Sequence, residues 1–263
     1  MTQKFWYDGN LINGNTLELN ISEPAFIYGA TVFTTLRVYQ QSLSHPLTQW
    51  KAHCHRLRLS LETFAWQLPN WQNLEIGATS LIPHFPILRI TIFPDGRELI
   101  TGRSLPPHLS QRQQQGITAW LAPSNQFHRS LPQHKTGNYL GAYLALKQAQ
   151  KLGASEAILQ DTQGNWLETS TGNLWGYKNQ KWYTPSLSAG ILPGITRQLC
   201  LNKLSGAEEN TWNLDFVKEL EAIAYTNCAV EVIPIHTIIL PHTQLKFHPT
   251  HPALNQLRAC FLE

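Results

Sequence analysis

The chain has 263 residues, enough for one large core or two smaller ones. Charged residues make up only 14% of it, while nine Trp, eight Tyr and ten Phe supply apolar area for a folded interior, which excludes a disordered tail or linker. A net charge of +3, with no run of like charges, gives no basis for a nucleic-acid or membrane partner.

Cysteines 54, 200, 228 and 260 form no CxxC pair, and the histidines show no HExxH spacing, so neither a disulfide framework nor a metal site is expected. The opening MTQKFWYDGNLING carries no apolar leader stretch, and no uncharged apolar run reaches bilayer length. The expectation is a reduced, soluble protein of the cytoplasm.

In chain order, FWYDGNLI reads as the start of a β-hairpin around a DGN turn. Residues 26 to 39, FIYGATVFTTLRVY, are rich in β-branched and aromatic side chains and read as a strand pair or one long strand. Between Trp50 and Trp66, Cys54, Leu57, Leu61, Phe64 and Ala65 recur at helical spacing and predict an amphipathic helix. ILRITIF, 87 to 93, is a strand ended by the PDG turn. The polar stretch 104 to 116, with two prolines and no periodicity, is the best linker, dividing the chain into domains 1–112 and 113–263.

The second half opens with a strand at 116 to 122. Asn138 stands where an N-cap would, ahead of a helix that Gly153 stops. EAILQ, DTQGN and WLET read as strand, turn and strand, and NLWGYKNQKWYTP as a hairpin turning at Lys178 to Gln180. Pro193 and Gly194 lead into a helix whose first turn holds Ile195 and Thr196, and free N–H groups at a helix start form an anion site. A strand, a polar Thr226-Asn227 turn and a further strand follow.

Lys135 before a helix, Glu168 at a strand end, the PGIT helix start and Thr226-Asn227 are each ordinary alone. Together they offer an amine nucleophile, a carboxylate and two backbone anion cradles. That set suits pyridoxal 5'-phosphate, which needs a lysine for its aldehyde, an acid for its ring nitrogen and N–H donors for its phosphate.

LETSTGNLW resembles the E-x-x-x-x-N segment, and LPGITR the phosphate-binding turn, of the class IV (fold type IV) pyridoxal-phosphate enzymes. These include branched-chain aminotransferases, D-amino-acid aminotransferases and 4-amino-4-deoxychorismate lyases. The resemblance runs from WYDGNLI to EVIPI. It implies an α/β (α+β) fold of two domains, the smaller N-terminal and the larger C-terminal with a mixed sheet or barrel, and a homodimer acting on a small molecule. By the same resemblance Lys135 is the Schiff-base lysine and proton shuttle, and Glu168 pairs with the pyridine nitrogen. The backbone of Ile195 and Thr196, with Thr226 and Asn227, binds phosphate. H-x-x-R-L-x-x-S at His53, Arg56, Leu57 and Ser60 matches the family's basic helix, with Arg56 as phosphate-binding arginine. Tyr139 belongs either beside the cofactor's phenolic oxygen or in the core.

Within the family, Phe33-Thr34-Thr35-Leu36-Arg37 resembles the lyase form F-T-T-x-R, where aminotransferases more often carry F-E-T or F-E-G. The short step from Lys135 to Asn138 also fits the lyases and the D-amino-acid enzymes. The implied reaction converts 4-amino-4-deoxychorismate to 4-aminobenzoate and pyruvate. The alternatives are a class IV aminotransferase for branched-chain or D-amino acids, and a non-catalytic binding protein that keeps the fold. Gly29-Ala30-Thr31 departs from the usual G-D-G, and Phe93-Pro94-Asp95-Gly96-Arg97 from the usual R-G loop, both where substrate would sit. Arg89, Arg97 and Arg103 are the candidates for a substrate carboxylate, and Thr35 for an active-site hydroxyl.

Overall fold

The computed structural model describes residues 4–123, 126–127 and 129–262. The chain forms two compact units, Met1–Leu105 with His134–Asn138, and Pro106–Gln133 with Tyr139–Glu263.

The first unit contains β1 (Lys4–Tyr7), β2 (Asn10–Asn13), α1 (Pro24–Tyr28), β3 (Val32–Arg37), α2 (Trp50–Thr63), α3 (Trp71–Leu81), β4 (Ile87–Ile92) and β5 (Glu98–Arg103). Its sheet is antiparallel in the order β2-β1-β5-β4-β3. The DGN turn joins β1 to β2 with Asp8 and Gly9 both at positive φ, as the twist of a two-residue hairpin requires. Leu36, Leu57, Leu61, Leu74, Leu81, Leu88 and Ile90 fill the core between sheet and helices, each apolar side chain contributing about 1.5–3 kcal/mol.

Local chemistry overrides the reading of 26 to 39 as extended. Pro24 starts a helix turn whose first N–H groups Glu23 caps, and Gly29, at φ 64°, ends it in the left-handed conformation. Phe26 and Tyr28 are consequently exposed at 77% and 74%, with no sheet to pack on. In α2 the buried residues are His53, Leu57, Ser60 and Leu61, so the inward stripe includes two polar side chains that the apolar spacing left out. Neither α3, capped by Asn70, nor β5 was expected. The stretch 104 to 116 is not a bare linker, because residues 109–115 form a helix with Leu109 buried, and the expected 112/113 division falls within it.

The second unit holds that helix, α4 (Leu109–Gln115), then β6 (Ile117–Leu121), α5 (Leu140–Lys151), β7 (Glu156–Gln160), β8 (Trp166–Thr169), β9 (Asn173–Lys178) and β10 (Lys181–Pro185). It continues with α6 (Ile195–Lys203), β11 (Glu208–Asn210), α7 (Leu214–Lys218), β12 (Ala222–Asn227), β13 (Glu231–Ile239), β14 (Gln244–Lys246) and α8 (Leu254–Ala259). Strands β9, β12, β13, β6, β7 and β8 pair in that order, and β8 pairs back to β9 through Glu168 and Asn173. The six close into a barrel, which removes the open edges of a flat sheet. The 178–180 hairpin forms as expected, with Asn179 and Gln180 at positive φ. Helix α5 begins one residue later than an Asn138 cap would place it. Tyr139 occupies the cap position and makes no side-chain cap bond.

Among the described residues no helix is long and apolar enough to cross a membrane, and no three His, Cys, Asp or Glu side chains gather as a metal site.

Candidate active site

In the first unit, the HKTGN segment is stitched to the start of β3. Phe33 N–H donates to Lys135 O at 2.8 Å, Gly137 N–H donates to Thr31 O at 2.7 Å, and Val32 bridges Thr136. Lys135 is therefore held by its backbone at the edge of a sheet rather than carried on a loose loop. Its Nζ stands 4.8 Å from the centre of the Phe33 ring, and the guanidinium of Arg89 lies 3.6 Å from the same centre. His134 ties the segment to α2, through Ser60 Oγ at 3.0 Å from its Nδ1 and by its ring against Phe64.

Arg56 and His53 lie three residues apart on α2 and so share a face. Arg56 Nη2 donates to Thr34 Oγ1 at 2.8 Å, and Thr34 Oγ1 lies 2.5 Å from His53 Nδ1. Thr34 and His53 are almost wholly buried. Burial, then the charges of Arg56 and Lys135, push the His53 imidazole well below its ordinary range. Unfolded His53 takes up a proton near pH ~6.5 while the folded chain does not, so stability is complete above that pH and drains away as pH falls below it. The expected loss is about 1.4 kcal/mol per pH unit at most. His53→Asn should flatten it in urea melts compared at neutral and mildly acid pH, and an unchanged slope would remove His53 as its source.

The three arginines proposed for a substrate carboxylate separate clearly. Arg97 is committed to Glu23 and Asp95, each at 2.6 Å, and to the Tyr7 hydroxyl, so it pins α1 to the β4–β5 turn. Arg103 is exposed at the end of β5. Only Arg89 shares the Phe33 ring with Lys135, and it is the cross-strand partner of half-buried Thr35.

In the second unit, the E-x-x-x-x-N spacing is the hairpin that closes the barrel, with Glu168 and Asn173 as facing partners. Both clasp the loop ahead of α6. Leu192 N–H donates to Glu168 Oε2 at 3.2 Å, and Asn173 Nδ2 donates to Leu192 O at 3.0 Å. Glu168 is 5% exposed, and its other oxygen pairs with Arg129, whose guanidinium lies 5.4 Å from the centre of the Tyr139 ring. Tyr139 is half-buried beside that arginine.

At the start of α6, Gly194 stands at the N-cap with no side-chain cap bond, so the N–H groups of Ile195 and Thr196 begin the helix without a side-chain acceptor from the cap. A Cβ on Gly194 would come within 1.9 Å of Asn173 Oδ1, which explains the glycine by close approach. Arg197 anchors the helix through Pro185 O at 3.0 Å and Glu209. Thr226 is buried on β12, and its Oγ1 accepts from Trp175 Nε1 at 3.1 Å, so its own proton can be donated elsewhere. Asn227 serves the turn instead: its Oδ1 accepts from Ala229 and Val230 N–H, and its Nδ2 reaches Thr171. Thr196 Oγ1 meets Cys228 Sγ at 3.1 Å, bringing the PGIT start and the end of β12 together.

Uncapped helix N–H groups, a donor hydroxyl and a buried carboxylate fit a phosphorylated group carrying a basic ring nitrogen. Sequence reasoning places Thr34 only within the F-T-T-x-R motif, without its contacts to Arg56 and His53, and misses Arg129. The two-residue alternation of FTTLR set against H-x-x-R could have found the Thr34 contacts, whereas Arg129 carries no local signal.

Residues 31–238 match the family model described as amino-transferase class IV. The chain is 23% identical to an aminodeoxychorismate lyase of Vibrio harveyi over 247 residues, covering 86% of this chain and 90% of that protein. It is 25% identical to a branched-chain-amino-acid aminotransferase of Pseudomonas aeruginosa over 261 residues, covering 89% and 84%. Its fold matches the PLP-bound form of a hypothetical aminotransferase from Mycobacterium tuberculosis with a TM-score of 0.82 at 17% identity, over 98% of this chain and 99% of the other. The chain belongs to the class IV aminotransferase family, whose enzymes depend on pyridoxal 5'-phosphate.

Proposed function

We propose that this enzyme is a lyase that converts 4-amino-4-deoxychorismate to 4-aminobenzoate and pyruvate. The observation that carries this reading is Thr34. The family's aminotransferases more often have glutamate there, whereas here an uncharged hydroxyl, fully buried, meets Arg56 and His53. The lyase from Vibrio harveyi, similar over most of both chains, supports the same choice.

Bound pyridoxal phosphate supplies an aldehyde that captures the substrate amine and a ring that withdraws electrons from it. Arg56, the first N–H groups of α6 and Thr226 would hold its phosphate, and Glu168 its ring nitrogen. Lys135 Nζ would take the proton from the substrate's ring carbon and return one to the methylene carbon of the departing pyruvate. Arg89, with Thr35 opposite it, would hold a substrate carboxylate.

A second reading, a class IV aminotransferase, is favoured by the Pseudomonas aeruginosa relative at 25% identity. One experiment separates the two. Holoenzyme given aminodeoxychorismate should release 4-aminobenzoate and pyruvate in equal amounts, and a branched-chain or D-amino acid alone should leave the cofactor spectrum unchanged. Conversion to the pyridoxamine form without pyruvate release would establish the transaminase instead. In the same assay Arg89→Gln should raise KM about tenfold while cofactor affinity holds.

A further inference from the structure

The first threonine of FTTLR and the histidine of H-x-x-R come together with the arginine in a buried polar chain that the reaction itself does not use. We propose that Thr34 and His53 are positioning residues that hold the Arg56 guanidinium in the orientation that binds the cofactor phosphate. This rests on the reading of Arg56 as the phosphate arginine.

Donor accounting sets the direction of the chain. Arg56 has only donors, and its Nη2 gives one proton to Thr34 Oγ1 at 2.8 Å. Thr34 is 0% exposed, so its own hydroxyl proton needs a protein acceptor, and His53 Nδ1 at 2.5 Å provides it. His53 is then neutral, with its remaining proton on Nε2, and its burial, followed by the nearby charges of Arg56 and Lys135, favours that neutral form. Arg56 thus donates to a hydroxyl that is itself anchored on an imidazole 1% exposed. Thr34 contributes no charge, so it can align the guanidinium without drawing on its attraction for a phosphate dianion. An arginine side chain samples many rotamers, and fixing it beforehand lowers the entropy lost when the anion binds.

The test titrates pyridoxal 5'-phosphate and phosphate-free pyridoxal separately into cofactor-stripped protein, following absorbance and tryptophan fluorescence. Wild type should bind the phosphorylated form much more tightly. Thr34→Val, nearly isosteric, should weaken pyridoxal 5'-phosphate about tenfold and leave pyridoxal within about twofold, and Thr34→Ser should restore wild-type affinity. If the valine variant does not fold, His53→Leu against His53→Asn asks the same question, since only asparagine can supply an acceptor where Nδ1 stands. A phosphate preference that persists in Thr34→Val and His53→Leu would overturn the positioning role, as would equal weakening of both ligands. Wild type with no preference for the phosphorylated form would overturn the phosphate assignment of Arg56, and the proposal with it.

Discussion

Lys135→Ala is expected to abolish cofactor capture and lower turnover by roughly a thousandfold, the scale of losing a nucleophile that is also the proton carrier. The fold should survive. What joins the segment to β3 is backbone, with Phe33 donating to the carbonyl of residue 135 and Gly137 donating to Thr31, and alanine keeps both bonds. Melting should therefore shift by only a few degrees, reflecting the lost contact of the lysine stem and ammonium with Phe33. Lys135→Arg is the sharper variant, since it preserves the cation over the ring but offers no amine for the aldehyde. It should lose as much activity as alanine. Borohydride reduction followed by peptide mapping should place the pyridoxyl group on the 134–138 segment of wild type and on no peptide of either variant. A label on any other lysine of the wild type would refute the assignment.

How far such a site can be read from sequence depends on how local its determinants are. The DGN and KNQ turns are legible because positive φ at adjacent positions selects their residues. Glu168 and Asn173 are legible because a hairpin makes partners of residues five apart. Arg129 was invisible because its partner Glu168 lies 39 positions away, and nothing in QFHRSLP records the ion pair. Thr34 was half legible. Strand alternation puts it on the face opposite Phe33 and Thr35, but that α2 covers this face is a tertiary fact. The barrel closure is of the same kind, since β13–β6 and β6–β7 are parallel pairs between distant segments. The misreadings run the other way. Phe26, Ile27 and Tyr28 have strand propensity, but Pro24, Glu23 and Gly29 decide the backbone. LSQRQQQ folds as α4 while burying only Leu109, too small an apolar stripe to show as periodicity.

Gly137→Ala should cost nearly as much function as losing a catalytic group, although position 137 contributes no reactive atom. A Cβ there would stand 2.3 Å from Thr31 Oγ1 and 2.6 Å from the carbonyl oxygen of Gly29. The hydroxyl can rotate away, but the carbonyl cannot, because Gly29 is fixed at φ 64° as the cap that ends α1. The segment must therefore back off β3, stretching the 2.7 Å bond from Gly137 N–H to Thr31 O and carrying Lys135 with it. Overpacking of this kind costs about 1–3 kcal/mol of stability, and a reacting group displaced by about 1 Å loses roughly a hundredfold in rate. Unlike Lys135→Ala, this variant should still give the borohydride adduct on Lys135, formed more slowly. Adding Thr31→Ala removes the first clash and leaves the second, so the double variant should recover only part of the rate. Wild-type turnover in Gly137→Ala would mean that the position of Lys135 does not depend on its docking against β3. An intermediate rate, partly rescued by Thr31→Ala, would instead identify the glycine as the device that holds the lysine in register.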